Sequence, residues 1–103
     1  MAAQVQLDLR IDIRLEALRA MLADLPAVIQ EWPELTDAER ASWSLDWDQM
    51  VGAIAVVIDP AYRSGRMRGE QRKCYRAVLA RLRAVLPELR ALHLAVPRIA
   101  LDS

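Results

Sequence analysis

The densest run of chemically capable side chains is Arg63-Ser64-Gly65-Arg66-Met67-Arg68-Gly69-Glu70-Gln71-Arg72-Lys73, flanked by Tyr62 and Tyr75. Guanidinium and ammonium groups at a loop and a helix start can hold phosphate oxygens. Arg63, Arg66, Arg68, Arg72 and Lys73 are therefore the candidate contacts for nucleic acid or an acidic partner. The competing role is a solvated face, or pairing with acidic residues of the same chain. The other reactive types are sparse. Asp46 and Asp48 flank Trp47 but point to different sides of a helix, so they make no carboxylate dyad. Glu88 and His93 lack the Glu-x-x-His spacing of a di-iron bundle. His93 is the only histidine and Cys74 the only cysteine. Cys74 falls on an apolar stripe, which predicts an inert core thiol; exposed beside Arg72, Lys73 and Arg76, it would have a lowered pKa. Gly52, Gly65 and Gly69 form no phosphate-cradling motif. Trp43 and Trp47, one helical turn apart, are expected in the core, with anchoring of a protein partner as the alternative. No nucleophile-base pair, metal cluster or cofactor loop emerges, so the expectation is a protein that is not an enzyme and needs no cofactor or metal.

Residues 5–15 read Val-Gln-Leu-Asp-Leu-Arg-Ile-Asp-Ile-Arg-Leu, apolar at every odd position and polar at every even one. Side chains alternate faces in a strand, so this pattern predicts a β-strand with one apolar face. Asp8/Asp12 and Arg10/Arg14 would be like-charged i,i+4 pairs on a helix, which points the same way. A lone strand is unstable and needs a partner. Antiparallel pairing of two copies about Ile11 sets Asp8 on Arg14 and Arg10 on Asp12, with Leu9 on Ile13 and Leu7 on Leu15. That makes a self-complementary two-fold ribbon of Leu7, Asp8, Leu9, Arg10, Ile11, Asp12, Ile13 and Arg14. The alternatives are a solubilised edge strand, or pairing with the tail of the same chain.

Helical spacing dominates the rest. Leu15, Leu18, Met21, Leu22, Leu25, Val28 and Ile29 predict a helix over 15–31, kinked or split at Pro26. Thr36-Asp37-Ala38-Glu39 is a capping box opening a helix over 36–58 with a stripe of Trp43, Trp47, Met50, Val51, Ile54, Val57 and Ile58. Its second half, apolar all round, is expected to be buried on most sides. Asp59-Pro60 reads as a stop followed by one short turn. A third helix, 69–93, has a stripe of Met67, Gln71, Cys74, Tyr75, Val78, Leu79, Leu82, Val85 and Leu86, with Pro87 kinking or restarting it and Leu89 and Leu92 continuing the face. Residues 94–103 read as an extended tail whose Val96, Ile99 and Leu101 dock on the bundle or beside the strand.

The 103 residues therefore predict one domain, 1–103. It is mainly α: a three-to-four-helix bundle with an N-terminal β-strand pairing between subunits. Apolar content of 54% is high for a small monomer and fits surface buried between subunits. The first 60 residues hold 4 basic and 11 acidic side chains and the rest hold 10 and 3, so the two halves can neutralise each other. No transmembrane helix or secretory leader is evident, and a single cysteine fits a reducing, cytoplasmic setting. Absence of Phe beside abundant Ala, Leu and Arg suggests a bacterial source.

A strand followed by helices resembles, in architecture and over about the first third of the chain, the ribbon-helix-helix DNA-binding repressors. That resemblance implies a strand pair in the major groove, with Gln6, Arg10 and Arg14 reading base edges. The chain departs from the pattern: Asp8 and Asp12 share that face and repel phosphate, the strand is longer, and the following helices do not match. The leading expectation is a small bacterial interaction or regulatory subunit that pairs with itself and with another protein. A DNA- or RNA-binding regulator is the alternative.

Overall fold

The computed structural model of the chain describes residues 2–99. It is mainly helical: α1 (Ala2–Glu31), a 3₁₀ turn (Trp32–Glu34), α2 (Asp37–Ala53), a π-helical turn (Ile54–Ile58), α3 (Asp59–Arg63) and α4 (Gly69–Ala91). Among the described residues there is no strand, so the β-strand expected over 5–15 is corrected to the first half of α1. The ribbon of paired strands, and with it the ribbon-helix-helix architecture, falls with it.

The reason lies in the helical period. At 3.6 residues per turn the odd positions do not scatter; they divide into two rows at i,i+4 spacing, centred about 160° apart. Leu7, Ile11 and Leu15 form the inner row, half-buried, 0% and 4% exposed, and Leu18, Leu22 and Leu25 continue it. Val5, Leu9 and Ile13 form the outer row. The like-charge penalty is also relieved. Arg68 Nη2 donates to both oxygens of Asp12 at 3.1 and 3.0 Å, and Gln71 Nε2 donates to Asp12 Oδ1 at 2.9 Å. Asp8 accepts from Gln4 Nε2 at 3.0 Å.

The 30 residues of α1 make a rod of about 45 Å, nearly the 48 Å longest dimension of the molecule. Pro26 sits within it without ending it. Asp12 lies beside Arg68 and Gln71, while Leu22 shares a groove with Val78 and Arg81. The rods α1 and α4 therefore run side by side in the same direction. Gln71, 2% exposed, is the pin between them: its Oε1 accepts from the Arg68 amide at 3.0 Å, and its Nε2 also reaches the Asp8 carbonyl at 3.3 Å. The segment from α2 to α3 lies against α1, and Trp47, Ile54, Ile58, Tyr75, Leu82 and Leu89, each 0% exposed, fill the space between the elements.

The capping box forms as read: Thr36 Oγ1 accepts from the Glu39 amide at 3.1 Å, and Glu39 Oε1 accepts from the Thr36 amide at 2.9 Å. The backbone bond from Thr36 is the main reason the Glu39 carboxyl is held below its ordinary pKa. A carboxyl with a depressed folded-state pKa contributes stability above its unfolded value and loses it as pH falls through the folded one. Thr36→Ala is therefore expected to cost about 1 kcal/mol in urea unfolding near neutral pH. Its gap from wild type should vary little with pH, because the residue-36 amide still donates to Glu39; Glu39→Ala, which removes the bond to that amide, should open a gap that shrinks toward pH 3. A Glu39→Ala gap that stays constant with pH would contradict the reciprocal bond.

Asp59-Pro60 does not stop the second helix. The backbone stays helical from Asp37 to Arg63 because one π turn intervenes, in which the Asp59 amide bonds the Ile54 carbonyl. The widened turn accommodates Pro60, which sits in the first turn of α3 and has no N–H to place. The all-round burial expected of 52–58 is also corrected. Ile54 and Ile58 are 0% exposed, but Val56 is 76% exposed and Ala55 faces outward. At the far end, Leu92, His93 and Leu94 close α4. His93 takes φ 59°, its amide reaches the Arg90 carbonyl at 3.1 Å, and the Leu94 amide reaches Leu89 at 2.8 Å. These are the two bonds of a Schellman cap, so the lone histidine serves as a helix terminator. Residues 94–99 are non-helical and pack on the core through Leu94, Val96 and Ile99. Leu101 lies outside the described residues.

Candidate interaction surface

Among the described residues five large apolar side chains stand exposed, and three of them, Val5 (59%), Leu9 (56%) and Ile13 (67%), form the outer row of α1. Each is held outward by the burial of its neighbours in the inner row, so the same helix that builds the core presents this second stripe to solvent. Leu45 (58%) and Val56 (76%) lie on the segment from α2 onward. The even positions of α1 are ordered as well. At 100° per residue, Asp8, Asp12 and Glu16 line one flank of the outer stripe, and Gln6, Arg10 and Arg14 line the other. Arg10, Arg14 and Glu16 are exposed; the Asp12 side chain is 46% exposed while bonded to Arg68. Arg19 continues along the acidic flank, with its guanidinium 3.8 Å from Glu16.

The residues grouped as a dimerising strand are thus divided. Leu7 and Ile11 belong to the core, Asp8 and Asp12 to the contact with α4, and Leu9, Ile13, Arg10 and Arg14 to the surface.

The basic run is divided too. Arg68 is spent on Asp12. Arg63 Nε lies 3.4 Å from Asp59 Oδ1, with its guanidinium 5.2 Å from the Tyr62 ring centre. Arg72 lies 4.9 Å from that centre and donates to the Tyr62 carbonyl at 3.4 Å. Arg66 and Lys73 are exposed. Tyr62 becomes the hub of a small cluster: Arg76 Nε donates to its hydroxyl at 3.2 Å, and this bond, with the charges of Arg76, Arg72 and Arg63, lowers the phenol pKa. Its neighbour Tyr75, packed edge-on at 5.0 Å, shifts upward, because its site is buried and its hydroxyl donates to Asp59 Oδ1 at 2.8 Å. These contacts bind α3 to α4 and tie Arg63, Arg68 and Arg72 to partners within the chain.

The tryptophans form a chain. Trp43 stacks on Trp47 at 5.6 Å and 12°, and Trp32 meets Trp43 edge-on at 6.4 Å. Trp47 is fully buried and Nε1 donates to the Ala95 carbonyl at 2.8 Å; Trp32 and Trp43 are half-buried. Arg40 holds the turn by donating to the Trp32 and Pro33 carbonyls at 2.9 and 3.0 Å. Asp46, Asp48, Glu88 and His93 are exposed and gather at no common point, and among the described residues no group of His, Cys, Asp and Glu could hold a metal ion. Cys74 is half-buried at a groove between α1 and α4, where the apolar stripe predicted a core thiol. Sequence reasoning missed both that groove and the outer stripe of α1; the i,i+4 spacing of Val5, Leu9 and Ile13 was the available signal for the stripe. No described helix is long and apolar enough to cross a membrane.

The chain matches no protein-family model, and no curated protein or solved structure is significantly similar to it.

Proposed function

We propose that this protein is a non-enzymatic helical interaction module that works as a homodimer, assembled through the outward face of α1. The observation that carries the reading is the row Val5, Leu9 and Ile13, each more than half exposed on the side of α1 turned away from the core. Apolar rows bounded by charge on both sides are the form that helix-pairing surfaces take. The flanks also specify the pairing. Two copies related by a two-fold axis along α1 run parallel, which turns the exposed Glu16 and the solvent edge of the Asp12–Arg68 pair of one copy toward the partner's basic flank (Arg10, Arg14). An antiparallel pair would set acid on acid and base on base, which disfavours it. α4 lies along the acidic flank through Asp8 and Asp12, and leaves Val5, Leu9 and Ile13 open to solvent beside it. In this reading the chain is a small cytoplasmic bacterial regulatory subunit whose dimer presents the remaining surfaces to another protein.

A nucleic-acid role has less support, because Arg63, Arg68 and Arg72 already serve internal contacts and only Arg66 and Lys73 of the run project freely.

The test is the solution mass. Wild type is expected at twice 11.6 kDa by light scattering, and the double variant Leu9→Glu/Ile13→Glu at 11.6 kDa with unchanged helical circular dichroism. Burying two such side chains on each copy accounts for at least about a hundredfold in dissociation constant. Orientation is read with single cysteines in a Cys74→Ser background. Val5→Cys and Ile13→Cys should each cross-link to themselves in the parallel pair, whereas an antiparallel pair centred on Leu9 would join position 5 to position 13. A wild type that stays monomeric at high concentration defeats the proposal.

A further inference from the structure

We propose that the groove between α1 and α4 binds a single-chain amphiphile with one anionic head, a medium-chain carboxylate being the simplest member. The groove, open to solvent along its length, offers about 600 Å³, within the range of small-molecule sites. Its deepest apolar side chains are Leu22 and Val78, 4% and 3% exposed. The room exists because Ala23, Cys74 and Ala77, which also line it, are too short to fill the gap between the rods. Around this apolar trough stand Arg19, Lys73, Arg81 and Glu70; Arg19 is paired with Glu16 at 3.8 Å, so the positive excess rests on Lys73 and Arg81 over Glu70. All three cations are exposed, and Lys73 and Arg81 make no ion pair with any described residue.

An apolar trough under an excess of positive charge suits a ligand whose body is hydrocarbon and whose head carries one negative charge. It discriminates against the cationic analogue by repulsion and gives a neutral one nothing for its head. The groove lies toward the C-terminal half of α1, past the Val5–Ile13 row, so ligand binding is separable from self-association and can be measured in the monomeric variant.

Cys74 is the reporter, being the only cysteine and part of the groove wall. Its rate of alkylation by a neutral maleimide is measured in Leu9→Glu/Ile13→Glu against decanoate, decanol and decyltrimethylammonium, each below its micelle concentration. Decanoate should slow the reaction saturably, by about fivefold or more, because a seated ligand covers the wall around it. The other two should give much weaker protection. Ala77→Leu, at the exposed rim of the groove, should abolish protection by narrowing the trough. Lys73→Glu/Arg81→Glu, which changes only exposed charges, should weaken decanoate by roughly tenfold and favour the cationic analogue. Equal protection by all three compounds, or no saturable protection by decanoate, would overturn the proposal. So would protection by anionic lipid vesicles with none from free decanoate, since the groove would then be reading a membrane surface.

Discussion

Trp47→Ala is expected to be among the most damaging single substitutions, at about 3–5 kcal/mol. That is a large share of the roughly 5–15 kcal/mol that holds a domain of this size folded. The indole is fully buried and sits where three parts of the chain converge. One face stacks on Trp43, which in turn meets Trp32 at the end of α1, and Nε1 ties the segment after α4 through the Ala95 carbonyl. Removing the ring leaves a cavity, strands Trp43 and orphans a carbonyl at once. Trp47→Phe separates these effects: it keeps most of the packing and deletes the N–H, and should cost about 1–3 kcal/mol through the unpaired carbonyl. Urea unfolding followed by circular dichroism gives the totals. Amide exchange at residues 94–96 reports the tail, and should quicken in both variants. A loss below about 1 kcal/mol for the alanine variant would mean that the tryptophan chain is peripheral.

What could be read from the sequence was whatever depends on neighbours within a few turns. Thr36 and Glu39 are three residues apart and define their cap by themselves, and the stripe of Tyr75, Val78, Leu79, Leu82, Val85 and Leu89 declares one face of α4 wherever that helix lies. Trp47, Ile54 and Ile58 were found by the same logic. Contacts across the fold were not legible. Pairing of the basic run with the acidic half of the chain was an open reading, but nothing local marked Asp12, 56 positions away, as the partner of Arg68. Gln71 sat on an apolar stripe, and its hydrogen bonds to Asp8 and Asp12 exist only once α1 lies alongside α4. The groove is a property of two helices together: Ala23 and Ala77 are unremarkable until both line one gap. Pro60 misled for a different reason, since a π turn lets a helix continue where a regular α-helix would have broken.

The sharpest reversal is at residues 5–15, and Ile13→Pro tests it directly. A strict alternation of apolar and polar residues satisfies two geometries at once. It makes one wet and one dry face in a strand, and two opposed apolar rows in a helix, and only the second can extend Leu15, Leu18, Leu22 and Leu25 into one unbroken inner face. Ile13 is 67% exposed, so packing lost within the subunit is small and the backbone decides the outcome. In α1 its amide is directed at the Leu9 carbonyl, and proline both removes that bond and collides with the preceding turn, at a cost of about 3 kcal/mol or more. The damage should spread toward the N-terminus, loosening Leu7 and Ile11 from the core and Asp12 from Arg68 and Gln71. Ile13→Ala is the control. In the dilute monomer it should be neutral or slightly stabilising, because alanine is the better helix former, while the same change weakens self-association. An exposed edge strand would invert the pair, tolerating proline while losing by alanine. Ile13→Pro unfolding within about 1 kcal/mol of wild type, with its helical signal intact, would therefore remove the first half of α1, the Asp12–Arg68–Gln71 pin as described, and the outward stripe on which the dimer depends.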